Sequence, residues 1–280
     1  MSIESREIPL VAPDGHRWNL LARIPDHAEM ALLWLPALGV AAKHYLPFAE
    51  ALATRGVAVF LHEWRGNGSS RLRPRRDSNW GYRELLELDL PTSHAAMVQH
   101  AATLPLLTGG HSLGGQLATC YAALHPDTFA RLWLVAAGTP YWRSFPAPRR
   151  WMLPPFYRFT PWLADRRGRL NGRRLGFGGS EARGLIRDWA RVGLGNRYAA
   201  TGMDVDIEAA LARLAIPVRG VLFAHDWLAP RGSLAALLAK LASPPSEPVM
   251  FDDDRLGTRA DHFAWMKQPQ AVVESLLVPL

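Results

Sequence analysis

The sequence predicts an α/β fold in which a mostly parallel central sheet is covered by helices on both faces. Short apolar segments alternate along the chain with segments that have the 3.6-residue periodicity of helices. Several of the short segments are apolar at every position, which is typical of strands buried on both faces of a parallel sheet. The 280 residues, 49% of them hydrophobic, are enough for one large core with an insertion.

The first two predicted strands form an antiparallel hairpin. Arg6–Val11 and Arg17–Arg23 lie on either side of Asp14-Gly15, a turn signal for a hairpin. We expect this hairpin at one edge of the sheet.

Strands and helices alternate after the hairpin. Ala31–Leu35 is a short apolar strand that ends at Pro36-Ala37-Leu38-Gly39, and the helix that follows ends near Thr54, before Gly56. Further strands are predicted from short apolar runs, and helices from apolar residues on one face. The strands are Val57–Leu61, Thr103–Thr108, Arg131–Ala137, Val218–Ala224 and Glu247–Phe251, and the helices are Tyr82–Gln99, Gly114–Leu124, Ile207–Leu214, Ser233–Leu241 and Gln270–Leu277.

Residues 139–206 interrupt this alternation. They include several tryptophans and prolines, and between Thr139 and Ala200 there are thirteen arginines, three acidic residues and no lysine. That stretch therefore has a net charge of +10, whereas the whole chain has +7. We expect residues 139–206 to form an inserted cap, or lid, over an α/β core of residues 1–138 and 207–280.

Gly110-His111-Ser112-Leu113-Gly114 matches the pattern G-x-S-x-G. A serine that presents its hydroxyl above a sheet lies on a sharp strand-to-helix turn, and glycines two residues before and after it relieve the crowding. The start of the helix also directs backbone N–H groups towards the site. The bare motif occurs by chance, so a glycine-rich turn without chemistry is the alternative. The position between a predicted strand and a predicted helix favours Ser112 as a nucleophile.

A serine nucleophile needs a general base and an acid that orients the base. His225 and Asp226 follow the strand Val218–Ala224 at its carboxyl end, where ligands bind in open α/β sheets. His262 lies between the last predicted strand and the last helix, at the same edge. We expect Asp226 to orient His262, and His262 to accept the serine proton.

Other histidines and acids fit these roles less well. His125 lies at the far end of the helix that follows Ser112, about 20 Å away by helical rise. No acid follows the strand that ends near Ala137. The alternative for Asp226 and His262 is a turn or capping role. The other candidate acids are interpreted as parts of a solvated loop: Asp252, Asp253, Asp254 and Asp261.

Acyl transfer also needs two hydrogen-bond donors for the oxyanion. One is the backbone N–H of the residue after the nucleophile, Leu113. The second is expected from the loop after Ala31–Leu35, where Leu38 is the candidate.

These residues together resemble the α/β-hydrolase superfamily over most of the chain. Gly110–Gly115 is similar to the nucleophile elbow of that family, and Pro36–Gly39 stands where its His-Gly oxyanion motif usually occurs. Further similar segments are the loop Trp64–Ser69, preceded by Glu63 in place of the usual Asp, the acid loop Ala224–Pro230 and the histidine loop Ala260–Ala264. The resemblance implies a Ser112–His262–Asp226 triad with oxyanion donors at Leu38 and Leu113.

The chain is also similar to a bacterial subgroup of predicted serine hydrolases. Members of this subgroup have P-A-L/M-G in the oxyanion loop and R-x-L-G-F-G in the cap, here Arg173–Gly178. Serine at the nucleophile position argues against dehalogenase or epoxide hydrolase chemistry.

The expected activity is hydrolysis of a carboxylic ester or thioester through an acyl-enzyme. The alternatives are amide or peptide hydrolysis of the serine aminopeptidase type, and a catalytically silent hydrolase-fold binding protein. The expected partner is a small acyl substrate, which is anionic if the arginines of the cap bind it. The alternative for those arginines is pairing with acids of the protein. We expect no cofactor or metal, and the absence of a basic helix or RNA-binding signature argues against a nucleic-acid partner.

The sequence also bears on the cellular compartment. The single cysteine, Cys120, permits no intrachain disulfide, which fits a reducing compartment. The first residues have no signal-peptide pattern, and no apolar run is long enough for a transmembrane segment. We therefore expect a cytoplasmic protein, whereas no feature of the sequence indicates the oligomeric state.

Overall fold

The structure is a computed structural model that describes residues 2–242 and 247–278. In these ranges the strands, in chain order, are β1 (Ile3–Val11), β2 (Arg17–Pro25), β3 (Met30–Leu35), β4 (Val57–Leu61), β5 (Leu106–His111), β6 (Arg131–Val135), β7 (Leu170–Asn171), β8 (Ser180–Glu181), β9 (Val218–Phe223) and β10 (Val249–Phe251). The α-helices are α1 (Leu46–Ala53), α2 (Tyr82–Glu84), α3 (Leu90–Ala101), α4 (Leu113–Leu124), α5 (Arg149–Arg167), α6 (Arg183–Gly195), α7 (Ile207–Leu211), α8 (Arg231–Leu238), α9 (Asp253–Leu256) and α10 (Gln270–Leu277).

Eight of the strands form one sheet in the order β1-β2-β4-β3-β5-β6-β9-β10. The pairs β1–β2 and β2–β4 are antiparallel, and the other neighbouring pairs are parallel. The sequence-based prediction of a mostly parallel sheet with an antiparallel hairpin at one edge is confirmed.

The hydrophobic core is divided by the sheet into two clusters, one on each face. In β3, Leu33 and Leu35 belong to one cluster, whereas Leu32 and Trp34 belong to the other. Successive side chains of a strand point to opposite faces. An uninterrupted apolar run is therefore what a strand covered by helices on both faces requires.

The strand before the candidate nucleophile differs from the prediction. It was expected at Thr103–Thr108, but β5 begins at Leu106 and continues through Gly109 and Gly110 to His111. A Cβ atom at Gly109 would collide with the backbone of Trp133 on β6, so the strand can pass there only with glycine. Gly109 and Gly110, which suggested that the strand ends at Thr108, therefore lie inside β5, because close packing leaves no room for a side chain.

The predicted helix Tyr82–Gln99 is interrupted by a π-helical turn. Between α2 and α3, Leu85–Asp89 forms this turn, and Pro91 follows in the first turn of α3. Proline has no N–H to donate to the preceding helical turn, and the wider π-turn accommodates this gap.

Between β6 and α7 the chain leaves the central sheet and forms α5, the two-stranded β7–β8 ribbon and α6. Helices α5 and α6 pack against each other. Two bonds attach α6 to the start of α2 and the residues just before it: Tyr82 N–H donates to the Asp188 carboxylate (2.9 Å), and Leu185 N–H donates to Trp80 O (2.8 Å). In the same stretch, Gly179 packs against Gly39 in the loop that follows β3. No helix in the described residues is long and apolar enough to span a membrane.

Candidate active site

Ser112 lies at a strained turn between β5 and α4, with φ 56° and ψ −119°. Non-glycine residues rarely adopt a positive φ, and such strain is typical of functional sites. A Cβ atom at Gly110 would collide with Gly114, and one at Gly114 would collide with the carbonyl of Leu35 on β3. Both glycines of the motif are therefore needed for this serine to lie above the sheet.

Asp226 and His262 are joined by a short hydrogen bond. The Nδ1 atom of His262 lies 2.7 Å from Oδ2 of Asp226, and both residues are buried. The other carboxylate oxygen accepts hydrogen bonds from the backbone N–H groups of Leu228 (2.8 Å) and Ala229 (3.1 Å). The carboxylate is held in place, so it can fix the histidine tautomer with Nε2 free to accept a proton.

Ser112 and His262 line the same cavity. The hydrogen bonds of the described residues do not include one between these two side chains. In free enzymes such bonds are often long, and they shorten when substrate binds. The absence of this bond in the free enzyme therefore does not argue against proton transfer between the two side chains.

The neighbouring acids lie in other interactions. Asp252 caps α9 by accepting from Arg255 N–H (2.9 Å), and Asp253 faces the exposed His225 at 3.4 Å. Asp261 accepts from the backbone N–H groups of the two residues after His262, at 2.9 Å each. Asp253, which also accepts from Ala260 N–H (2.7 Å), and Asp261 therefore support the histidine loop, whereas Asp226 bonds to the imidazole itself.

The candidate oxyanion donors Leu38 and Leu113 both line the cavity beside Ser112. Their backbone N–H groups have no acceptor among the described residues, so both can bind a substrate oxygen. The loop that contains Leu38 is anchored by two hydrogen bonds to the residues just before it. Ala37 N–H donates to the Tyr45 hydroxyl (2.9 Å), and Trp64 Nε1–H donates to Pro36 O (2.7 Å).

His111, the residue before the candidate nucleophile, is a second imidazole beside His262. The two ring centroids are 4.6 Å apart, and His111 Nδ1 lies 2.8 Å from the Tyr45 hydroxyl. Complete burial lowers the pKa of His111 well below its usual value, and the nearby His262 lowers it further. His111 therefore stays neutral and adds no repulsion when His262 is protonated.

A buried acid from residues 139–206 supports the loop that contains Leu38. Glu181 accepts a hydrogen bond from Gly179 N–H at 2.6 Å, and burial raises the pKa of its carboxyl group to about 7. Gly179 packs so closely on Gly39 that a Cβ atom at Gly39 would collide with it. This role of Glu181 was not predicted from the sequence, because the contact between Gly179 and Gly39 joins residues that lie far apart along the chain.

The cavity has a volume of about 610 Å³. Its walls come from the core and from α5 and the loop before β8, and they are mostly apolar and aromatic. Arg149 is the one arginine of the lining, and the lining includes no aspartate or glutamate among the described residues. The apolar wall is formed by residues that include Phe145, Met152, Leu153, Phe156, Phe177, Trp189, Trp227, Leu228 and Phe263.

Comparison with known proteins identifies the family. A family model described as serine aminopeptidase, S33, matches residues 26–243. The chain belongs to this α/β-hydrolase family. No curated protein matches the chain.

Solved structures share the α/β-hydrolase fold over nearly the whole chain. A hydrolase from Pseudomonas aeruginosa PA01 is 19% identical with a TM-score of 0.59, covering 99% of this chain and 97% of that one. A thermophilic esterase from Thermogutta terrifontis is 17% identical (TM-score 0.60; 98% and 96% covered), and a thioesterase domain from the curacin biosynthetic pathway is 16% identical (TM-score 0.60; 99% and 100% covered). At these identities the likeness shows the fold alone.

This α/β-hydrolase contains a second Ser-His-Asp arrangement. His16 Nε2 lies 3.0 Å from Ser70 Oγ, and His16 Nδ1 lies 3.2 Å from Asp89. All three residues are buried and none lines the cavity. Arg65 pairs with Asp89 at 2.6 Å, and Ser70 Oγ accepts two backbone N–H groups. No substrate can reach the Ser70 hydroxyl, because it is buried away from the cavity. We therefore interpret this group as structural: its hydrogen bonds hold the loop after β4 in place.

Among the described residues no cluster of histidine, cysteine and acidic side chains is suited to hold a metal ion. The cavity is lined by the Ser112 hydroxyl and the His262 imidazole, and the Asp226 carboxylate bonds to that imidazole. Together with two free N–H groups, they are the set that acyl transfer through a covalent serine intermediate requires.

Proposed function

We propose that this α/β-hydrolase cleaves a carboxylic ester or a thioester through an acyl-enzyme on Ser112, with residues 139–206 as its cap. The observation that supports this most directly is the 2.7 Å bond between Asp226 and His262 on the wall of the cavity that also contains Ser112. A cytoplasmic location remains a prediction from the single cysteine.

The proposed reaction begins when Ser112 Oγ attacks the substrate carbonyl and His262 Nε2 takes the hydroxyl proton. Asp226 stabilises the imidazolium that forms. The N–H groups of Leu38 and Leu113 bind the oxyanion, and removing one such donor typically costs about 100- to 1,000-fold in rate. The C–O or C–S bond then breaks as His262 protonates the leaving group. Water attacks the acyl-enzyme by the same route, and Ser112 regains its proton.

The family description favours a second candidate, amide hydrolysis of the aminopeptidase type. An aminopeptidase binds the charged amino group of its substrate, which needs an acidic partner when it leaves water. The described lining of the cavity has no carboxylate, and it includes Arg149. These charges favour an ester or thioester with an apolar acyl group over a substrate with a free amino group.

The single cation of the lining supports an acyl substrate with a carboxylate or phosphate remote from the scissile bond. Several arginines of residues 139–206 pair with acids, at 2.6 Å for Arg187–Asp165 and 3.0 Å for Arg197–Asp206. Arg149 has no acidic partner among the described residues, and its guanidinium lies 5.3 Å from the centroid of the Trp227 ring. A substrate anion is thus expected to bind at Arg149.

A fluorophosphonate probe tests the proposal. We expect the probe to label the wild-type protein and not the Ser112→Ala variant. The control variant Ser70→Ala, once shown to be folded, should still be labelled. Labelling that survives Ser112→Ala, or that never occurs, contradicts the assignment and favours a binding protein. Esters and thioesters of increasing acyl length, compared with aminoacyl anilides, then distinguish the two candidate reactions. Faster turnover of the anilides would favour the aminopeptidase.

A further inference from the structure

The solvent side of α5 exposes four large apolar side chains. Trp151 is 60% exposed, Met152 68%, Phe159 46% and Trp162 53%. Pro155 is exposed between them, and the spacing of Trp151, Pro155, Phe159 and Trp162 places these residues along one side of the helix. We call these five residues the outer face of α5. Apolar surface of this kind on a single element marks an interaction site.

Arginines surround the outer face of α5. The guanidinium of Arg150 lies 4.7 Å from the ring centroid of Trp151, and that of Arg166 lies 5.4 Å from Trp162. Arg158 is exposed on the same helix and bonds to Pro154 O. None of these three has an acidic partner among the described residues, and Asp165, the acid of α5, pairs with Arg187. The surface is therefore apolar at its centre and cationic around it.

We propose that the outer face of α5 docks on an anionic lipid bilayer. Tryptophan and phenylalanine enter the boundary between headgroups and acyl chains, and arginines at that depth pair with lipid phosphates. The net charge of +10 between Thr139 and Ala200 adds attraction to an anionic leaflet. A second copy of the chain is a poorer partner, because two such faces would bring like charges together in a desolvated interface.

The position of α5 connects this surface with the cavity. Leu153, Phe156 and Tyr157 on the other side of the helix line the cavity, and Met152 belongs to both surfaces. Docking through the outer face would therefore hold the cavity close to the lipid, on the far side of α5. This binding does not depend on the proposed reaction, because the lipid contacts do not involve Ser112 or His262.

Vesicle sedimentation with the whole protein tests the proposal. Vesicles of phosphatidylcholine mixed with phosphatidylglycerol are expected to bind the protein, and vesicles of phosphatidylcholine alone to bind it more weakly. The triple variant Trp151→Ser, Phe159→Ser, Trp162→Ser should lower binding at least about tenfold, given the apolar area removed. The matched control Val11→Ser, Met250→Ser, which removes exposed apolar side chains elsewhere, should not.

Charge is tested in the same assay. Arg150→Gln with Arg166→Gln should weaken binding to the anionic vesicles by about 25-fold, at about fivefold for each arginine. The exposed arginines Arg55 and Arg213 lie away from α5, and Arg55→Gln with Arg213→Gln serves as the control. Brominated lipid should quench tryptophan fluorescence in the wild-type protein more than in the triple variant.

Three results would overturn the proposal. The first is equal binding of the wild-type protein and the triple variant to anionic vesicles, or no binding at all. The second is a concentration-dependent dimer in analytical ultracentrifugation that the triple variant abolishes, which would assign the outer face of α5 to a second copy. The third is tight binding of a single-stranded oligonucleotide through this face without binding to vesicles. Labelling by the fluorophosphonate probe is expected to be the same in all these variants, so the proposed reaction is tested separately.

Discussion

Replacement of Glu181 by glutamine measures the free-energy cost of burying this carboxyl group. The side chain is buried beside the loop that contains Leu38, with one hydrogen bond, from Gly179 N–H. Burial raises its pKa from 4.5 to about 7. One pKa unit corresponds to about 1.4 kcal/mol, so ionisation of Glu181 lowers the free energy of unfolding by about 3 kcal/mol.

The pH dependence follows from the protons bound in each state. Between pH 4.5 and about 7 the folded protein keeps a proton that the unfolded chain has lost, so the contribution of Glu181 to stability falls as pH rises through this window. Below the window the carboxyl group is neutral in both states, and above it the full cost is present. Glu181→Gln removes the charge and keeps a carbonyl oxygen that can accept from Gly179.

Urea unfolding at two pH values provides the assay. Glu181→Gln is expected to exceed the wild-type protein in free energy of unfolding by about 3 kcal/mol at pH ~8 and by less than about 1 kcal/mol at pH ~5. Glu274→Gln, an exposed change on α10, is the control and should show no such difference. An equal effect of Glu181→Gln at both pH values, or a loss of stability at the higher one, would refute the reasoning.

Further predictions concern the elbow, the acid and the lining of the cavity. Gly114→Ala should lower the melting temperature or prevent folding, because the added Cβ meets the carbonyl of Leu35; thermal unfolding checks this. Asp226→Asn should reduce kcat by about 10,000-fold on any ester that the wild-type protein turns over, while Asp261→Asn has a far smaller effect. Arg149→Gln should raise KM about fivefold for esters with a remote carboxylate and leave KM for matched neutral esters unchanged.

Much of the fold was predictable from the sequence because its signals are local. Val57–Leu61 and Gln270–Leu277 have the predicted bounds, since an apolar run and a periodic apolar face need no knowledge of distant residues. The bounds of β5 were wrong, because its glycines are set by packing against Trp133 and α4. No helices were predicted at α5 and α6. Three prolines interrupt the helical pattern of α5, whereas α6 does repeat its apolar residues with helical spacing, at Leu185, Ile186, Trp189 and Val192.

The sequence by itself determined the alternation of strands and helices in the core, the elbow at Ser112 and the candidates Asp226 and His262, because motif spacing and strand ends are encoded by neighbouring residues. Only the tertiary structure decided which acid bonds to the histidine, since Asp226 and Asp261 are equally polar in the sequence. It also decided that Glu181 supports the loop of Leu38 and that Trp151 and Trp162 face solvent. These facts depend on which side chains contact each other and which remain exposed, and both are set only when distant parts of the chain have folded together.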